Sequence, residues 1–208
     1  ESRYIGFASF FYHTGRAWQD RNHDGFHQVQ LAVSQEMHHW VRVGNRQAFI
    51  APSSLDAGAY DTLQILGPSR PILRGDELWF YYSGLKHRWP PENMTPDRNA
   101  ICLATLRRDG FVSLAGAGQG GTVTTKPFSH DGAQLYLNAI ARPGAITCEL
   151  LDAAGQPLPG FTQTDCQPIN GDGVRLAVQW SGQARLPAGT LRLRCHLHDA
   201  QLFSYWVE

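Results

Sequence analysis

The sequence predicts an all-β chain: a partial β-propeller of about two blades over residues 1–118, then a β-sandwich over residues 119–208. Three observations predict it. Short strand-like runs recur at regular spacing, and no long stretch keeps a helical period. Twenty-one Gly and twelve Pro accompany six Trp, seven Tyr and ten Phe, a mixture suited to short strands and tight turns. The first half also repeats itself roughly.

The strands follow in order. Tyr4–Tyr12 (YIGFASFFY) is dense in aromatics and reads as a buried strand. His27–Ser34 (HQVQLAVS) alternates, and Trp40–Val43 reads as a short third strand. Thr62–Leu66 precedes the Pro-bracketed stretch Pro68–Arg74, and Glu77–Ser83 (ELWFYYS) follows the turn pair Gly75-Asp76. Ile101–Leu106 and Phe111–Leu114 flank the turn Arg108-Asp109-Gly110. Val29–Val33 (VQLAV) and Ile101–Thr105 (ICLAT) share one pattern, each followed by a turn and a further strand, as in successive blades. Ala115–Gly121 (AGAGQGG) is small and Gly-rich and is read as the boundary. Beyond it the expected strands are Thr122–Lys126, Gln134–Ala141, Ala145–Leu151, Val174–Trp180, Leu191–Leu197 and Gln201–Val207. Leu135/Leu137, Leu191/Leu193/Cys195/Leu197 and Leu202 alternate with period two, which marks the inward face of a sandwich.

Composition narrows the function classes. Lys+Arg and Asp+Glu are 18 each, and a neutral chain lacks the basic footprint of a nucleic-acid binder. No apolar run reaches the ~18–20 residues of a membrane-spanning helix. No signal peptide is visible, and the opening at Glu1 suggests processing or truncation. Cys102, Cys148, Cys166 and Cys195 form no C-x-x-C pair, so zinc and dithiol-redox motifs are not indicated. Cys102, Cys148 and Cys195 sit in apolar or alternating runs and read as buried small hydrophobes. A Cys148–Cys166 disulfide stays open on sequence grounds.

Several of these runs carry a family resemblance. Leu31–Val43 (LAVSQEMHHWVRV) resembles the S-x-D-x-x-x-W strand–turn–strand of the five-bladed-propeller glycoside hydrolases of families 32 and 43; Ser34 and Trp40 hold the pattern, and Glu36 stands where Asp is usual. Gly75–Gly84 (GDELWFYYSG) and Ala100–Leu114 (AICLATLRRDGFVSL) resemble later blade strands, and Gly121–Glu208 resembles the sandwich that follows the propeller. The resemblance implies a carbohydrate-active protein, extracellular or periplasmic. Two blades do not close a ring and leave exposed sheet edges. The expected partner is therefore an N-terminal propeller portion, on the same precursor or on a second chain. Whether this chain is itself an enzyme is left open, because the family's catalytic carboxylates lie largely in that portion.

Glycoside hydrolysis needs two carboxyl groups. Asp61, just before an inner strand, is the catalytic candidate; the competing reading is a turn residue capping that strand. Glu77 reads as solvent-facing, and Glu36 and Asp109 as turn residues. His13, Arg16, Gln64, His87 and Arg88 are candidate donors and acceptors for sugar hydroxyls, with Trp18, Trp89 and Tyr12 as stacking faces. The segments Tyr12–Gln19 and Gly84–Pro91 each place a His, an Arg and a Trp in a loop after a strand. Asp20–Gly25 (DRNHDG) matches the opening of a calcium loop, with Asp20, Asn22 and Asp24 as ligands; Leu31 stands where the bidentate Glu belongs. Calcium is the one cofactor suggested. His38 and His39 are adjacent and point apart, while His196 and His198 share a face without further ligands. The Gly-rich stretch has no following helix or Lys, so it is no phosphate loop. The alternative reading is a non-catalytic carbohydrate-binding or cell-surface module, using Trp180, Tyr205 or Trp206. A structural domain with no sugar is the third.

Overall fold

A computed structural model describes residues 3–15, 24–86 and 97–208, with Asp24 by its backbone alone. The protein is all-β, and among the described residues no helix is long and apolar enough to cross a membrane. The chain divides into two compact units, Glu1–Leu106 and Arg107–Glu208.

In the first unit, strands β1 (Tyr4–Gly15), β2 (Asp24–Ser34) and β3 (Val41–Arg42) form a three-stranded antiparallel sheet. The β1–β2 register runs from Tyr4↔Ser34 to Gly15↔Asp24, with an irregularity between His13 and Gly15. The second sheet is built around β6 (Glu77–Leu85). Its C-terminal end pairs with β4 (Gln64–Leu66), its N-terminal end with β5 (Ile72–Arg74), and it also pairs with β7 (Asn99–Arg107). The strand pleat sorts side chains by parity. Phe80, Tyr82 and Gly84 of β6 are buried, and Tyr81 between them is exposed. A small core joins the two sheets: Val29, Ile50, Ile65 and Tyr82, with Phe7, Phe49, Cys102 and Ala104 packed on it. The rings of Phe7, Phe49 and Phe80 meet pairwise at 5.3–5.7 Å between centroids. Such contacts add to area burial in a core this small.

The second unit holds β8 (Leu114–Gly116), β9 (Gly121–Thr124), β10 (Phe128–His130), β11 (Leu135–Leu151), β12 (Ile169–Ala177), β13 (Gly189–His198) and β14 (Ala200–Val207), a nearly closed barrel-like sheet. The two strands expected at 134–141 and 145–151 are one strand, β11, which changes partners midway. Its first half pairs with β14 and β12, and its second half with β13, while Ile146 still pairs with Ile169 of β12. The change falls at Pro143-Gly144, where a Cβ on Gly144 would sit 1.7 Å from the Leu-flanked carbonyl oxygen of His198. Proline cannot donate to a ladder and glycine admits that close approach, so the sequence permits the switch there. The period-two residues all point inward. Leu135, Leu137, Ala139, Ala141, Ile146, Cys148 and Leu150 of β11 meet Leu191, Leu193, Cys195 and Leu197 of β13, with Trp180 and Phe161 beside them. Opposite Asn138–Ala139 a register shift adds one residue to β14, so Leu202 and Tyr205 both face the core.

The Gly-rich stretch 115–121 is not a free linker. Its ends lie in strands, Gly116 opposite Ala200 and Gly121 opposite Leu197. Small residues suit this tight connection between β8 and β9, which composition alone does not distinguish from a linker.

Candidate functional site

Asp61 lies in the loop before β4, and its carbonyl oxygen accepts the Ser53 N–H at 3.2 Å. The side chain turns inward and is 7% exposed. Its Oδ2 accepts the phenolic O–H of Tyr82 at 2.6 Å. Gly84 makes the approach possible: a Cβ there would be 2.8 Å from Asp61 Cβ and 2.8 Å from Cys102 Sγ. The carboxylate, the phenol and the thiol thus meet where the loop before β4, the end of β6 and the start of β7 converge. Burial, then the hydrogen bond to Asp61, pushes the Tyr82 phenol far above its ordinary value. Burial, then the Asp61 charge, pushes the Cys102 thiol up. Both stay protonated at neutral pH; Tyr82 donates to Asp61, while the Cys102 thiol donates to the Ala100 carbonyl. Gln64, 9% exposed, opens β4 opposite Leu85.

A second, exposed cluster sits in the adjoining residues. Lys86 follows β6 directly, and its N–H donates to the Arg98 carbonyl at 2.9 Å. Lys86 Nζ is 3.1 Å from Asp97 Oδ2 and 4.1 Å from the centroid of the Tyr60 ring. The Tyr60 O–H donates to Asp97 Oδ1. The Tyr60 and Lys86 hydrogen bonds hold the Asp97 carboxyl below its usual range, and Asp97 in turn pushes the Tyr60 phenol up. Sequence reasoning missed Tyr60, Lys86 and Asp97. Tyr60 and Asp97 are 37 residues apart and belong to no motif; only the β4–β6–β7 pairing brings them together.

A third grouping lies on the β1–β2–β3 sheet. The rings of Tyr12 and Phe26 stack at 5.2 Å. Gln28 Nε2 and Gln30 Nε2 donate to the Tyr12 hydroxyl at 2.8 and 2.5 Å. The Arg42 guanidinium donates to Gln30 Oε1 at 3.4 Å and covers the Phe10 ring at 4.7 Å. Gln30 is 0% exposed, and this network satisfies a carboxamide that burial would otherwise penalise. Tyr12 was expected as a stacking face; Gln28, Gln30 and Arg42 were not singled out. Alternation puts Gln28 and Gln30 on the Tyr12 side of β2, the one signal that could have found them.

The remaining expected residues fare variously. His13, exposed, ends the regular part of β1 opposite Gly25. Arg16, Trp18, His87, Arg88 and Trp89 lie outside the described residues, as do Asp20 and Asn22 of the calcium-like loop; Asp24 opens β2, paired with Gly15. Among the described residues no group of three or more His, Cys, Asp or Glu is arranged to hold a metal ion. Glu77 is exposed and accepts from Trp79 Nε1 at 3.0 Å. Ser34 Oγ accepts the N–H groups of Glu36 and Met37, and Trp40 Nε1 donates to the Met37 carbonyl, so Ser34 and Trp40 shape the turn after β2. In the second unit Glu149 Oε1 accepts from Arg194 Nη1 at 3.0 Å and lies 2.9 Å from His196 Nε2. Trp180 is fully buried, with Nε1 donating to the Cys148 carbonyl at 2.8 Å, so no glycan reaches it; Trp206 stacks on Tyr136 at 6.0 Å.

No protein-family model, no curated protein and no solved structure matches the chain.

Proposed function

We propose that the protein is a carbohydrate-active, glycoside hydrolase-like chain whose first unit contributes propeller blades and part of a sugar-binding funnel, and whose second unit is a supporting β-sandwich. The observation that carries this reading is Asp61: a buried carboxylate gripped by Tyr82, at the strand ends where Gln64 and the Tyr60–Lys86–Asp97 cluster also gather. Two carboxyl groups near one set of hydrogen-bond donors are the minimum that glycosidic bond cleavage requires. In this reading the remaining blades come from a further segment of the same precursor or from a second chain, and the protein works in an extracellular or periplasmic setting. His13, Arg16, Trp18, His87, Arg88 and Trp89 extend the sugar contacts, and the Asp20–Asn22–Asp24 loop takes calcium.

The test pairs glycan-array binding with release of reducing sugar, for the wild-type chain and Asp61→Asn, each assembled with the remaining propeller portion. The expected result is binding by both and a loss of turnover of about 100-fold or more in the variant. Failure of the folded wild-type chain to bind any glycan refutes the reading.

The Tyr12–Gln28–Gln30–Arg42 grouping favours a second reading, a carbohydrate-binding module without catalysis. Aromatic faces beside amide and guanidinium groups suit the C–H faces and hydroxyl edges of a sugar. Glycan binding without turnover, lost in Tyr12→Ala and kept in Asp61→Asn, selects it.

A further inference from the structure

We infer that Cys148 and Cys195 are a thiol-oxidation site in which a small hydroperoxide joins β11 to β13 through a disulfide, leaving Cys166 as a free thiol. The two cysteines are direct cross-strand partners in the β11–β13 register. The backbone bonding on each strand fixes the kind of pair they form. On β11 the Cys148 N–H donates to Cys166 Sγ and the Cys148 carbonyl accepts from Trp180, while Leu150 exchanges bonds with Phe161 and Leu158. These residues therefore turn their polar groups away from β13. On β13 the Leu193 N–H and carbonyl both bond to Thr125, away from β11, and Cys195 has the same parity. The pair is thus of the non-hydrogen-bonded kind, in which Cα atoms stand only ~4.5 Å apart and side chains are closest. That spacing lies inside the range that admits a disulfide.

The sulfurs agree. Cys148 Sγ and Cys195 Sγ are 3.5 Å apart, so bond formation requires them to close by roughly 1.5 Å. Cys166 also makes side-chain contact with Cys148, but its sulfur accepts the Cys148 N–H at 3.2 Å and lies 3.4 Å from the Gln167 carbonyl. It is buried in an isolated bridge with Trp180, on the side of β11 away from β13, with no strand register that opposes it to Cys148.

Access comes from the other side. Cys195 lines a half-open cleft of about 320 Å³ between β13 and β14, shared with Val123, Leu193, Leu202 and Tyr205. A hydroperoxide is small enough to enter it. The Cys195 sulfur attacks one peroxide oxygen, the O–O bond breaks, and the departing oxygen leaves as water or alcohol with the thiol proton. The resulting sulfenic acid is attacked by the Cys148 sulfur; the S–O bond breaks, the S–S bond forms, and a second water leaves with the Cys148 proton. Two thiols are oxidised by two electrons and one peroxide is reduced.

The test uses the full reduced chain and hydrogen peroxide. After exposure, the protein is unfolded with an alkylating reagent present and digested without reductant, and its peptides are weighed. Before alkylation the oxidised chain is expected to be about 2 Da lighter than the reduced chain; after alkylation and digestion one linked peptide pair joins Cys148 to Cys195, and Cys166 is alkylated. Cys166→Ala is expected to form the same link, and dithiothreitol to reverse it. Recovery of Cys148, Cys166 and Cys195 all alkylated, or a link from Cys148 to Cys166, overturns the inference.

Discussion

Replacing Tyr82 with Phe removes one atom from the candidate site and tests whether Asp61 is held there as a charge. The phenyl ring keeps its place in the small core beside Val29, Ile50 and Ile65, so the perturbation is confined to the hydroxyl. That hydroxyl makes a 2.6 Å bond to a carboxylate that is 7% exposed, from a residue itself 8% exposed. A hydrogen bond to a charged group contributes about 1.5–3 kcal/mol, so a loss of about 2 kcal/mol is expected. For a unit of this size each kcal/mol is worth about 4–8 °C of Tm, provided the unit unfolds on its own. In Asp61→Asn the amide oxygen still accepts from the phenol, and Tyr82→Phe in that background is expected to cost about 1 kcal/mol, the value for a neutral bond. The double-mutant cycle, read by urea unfolding at neutral pH, therefore returns a coupling of about 1 kcal/mol. A cost for Tyr82→Phe below about 0.5 kcal/mol, or equal costs in both backgrounds, refutes the reasoning. An alkaline arm adds a sign. The folded-state phenol is raised, so the unfolded chain loses its proton first, from about pH 10. The native state then binds more protons, and stability that is whole below pH 10 falls above it. Tyr60 and Tyr205 are raised as well, so the quantity to compare is wild type minus Tyr82→Phe, which must shrink as pH climbs past 10.

Gly84→Ala forces a Cβ to 2.8 Å from both Asp61 Cβ and Cys102 Sγ; overpacking of about 1–3 kcal/mol is expected by urea unfolding, and an unchanged midpoint contradicts the packing described. Trp180→Phe deletes the donor to the Cys148 carbonyl and part of a fully buried ring; a loss of about 2–4 kcal/mol in the second unit is expected by calorimetry. Asp97→Ala removes the hydrogen bond, and then the charge, that raise the Tyr60 phenol, so an ultraviolet tyrosine titration is expected to show one phenol moving down toward its ordinary value, with little change in Tm.

The second unit was legible because alternation has one physical cause. A strand with one wet face and one dry face must write Leu135, Leu137, Leu191, Leu193, Cys195 and Leu197 at every second place, and all are buried. What alternation does not encode is partner choice. The sequence around Pro143-Gly144 reads as a turn between two strands, and the structure uses the same residues to pass one strand between two sets of partners. The Gly-rich stretch was opaque for the same reason, since a tight connection and a flexible tether share a composition. In the first unit Asp61 stood out by its place before a strand, but its partner did not. Tyr82 looks like any aromatic in a strand until the pleat turns it inward, and Cys102 arrives from β7, some forty residues on from Asp61.

Asp61 also bears on the choice between a structural and a functional role. A buried carboxylate costs several kcal/mol of lost hydration unless its charge is matched. Among the described residues its hydrogen-bond partner is the neutral Tyr82, the nearby Cys102 is a neutral thiol, and no salt bridge reaches it. A turn that needed only an acceptor for Tyr82 is served as well by Asn, which supplies the same oxygen without the charge. In the proposed function, a carboxyl group placed here faces a developing positive centre or takes a proton. The two roles separate cleanly in Asp61→Asn. A purely structural acceptor predicts unchanged or improved stability and unchanged glycan chemistry, whereas a working carboxylate predicts unchanged or improved stability with turnover abolished.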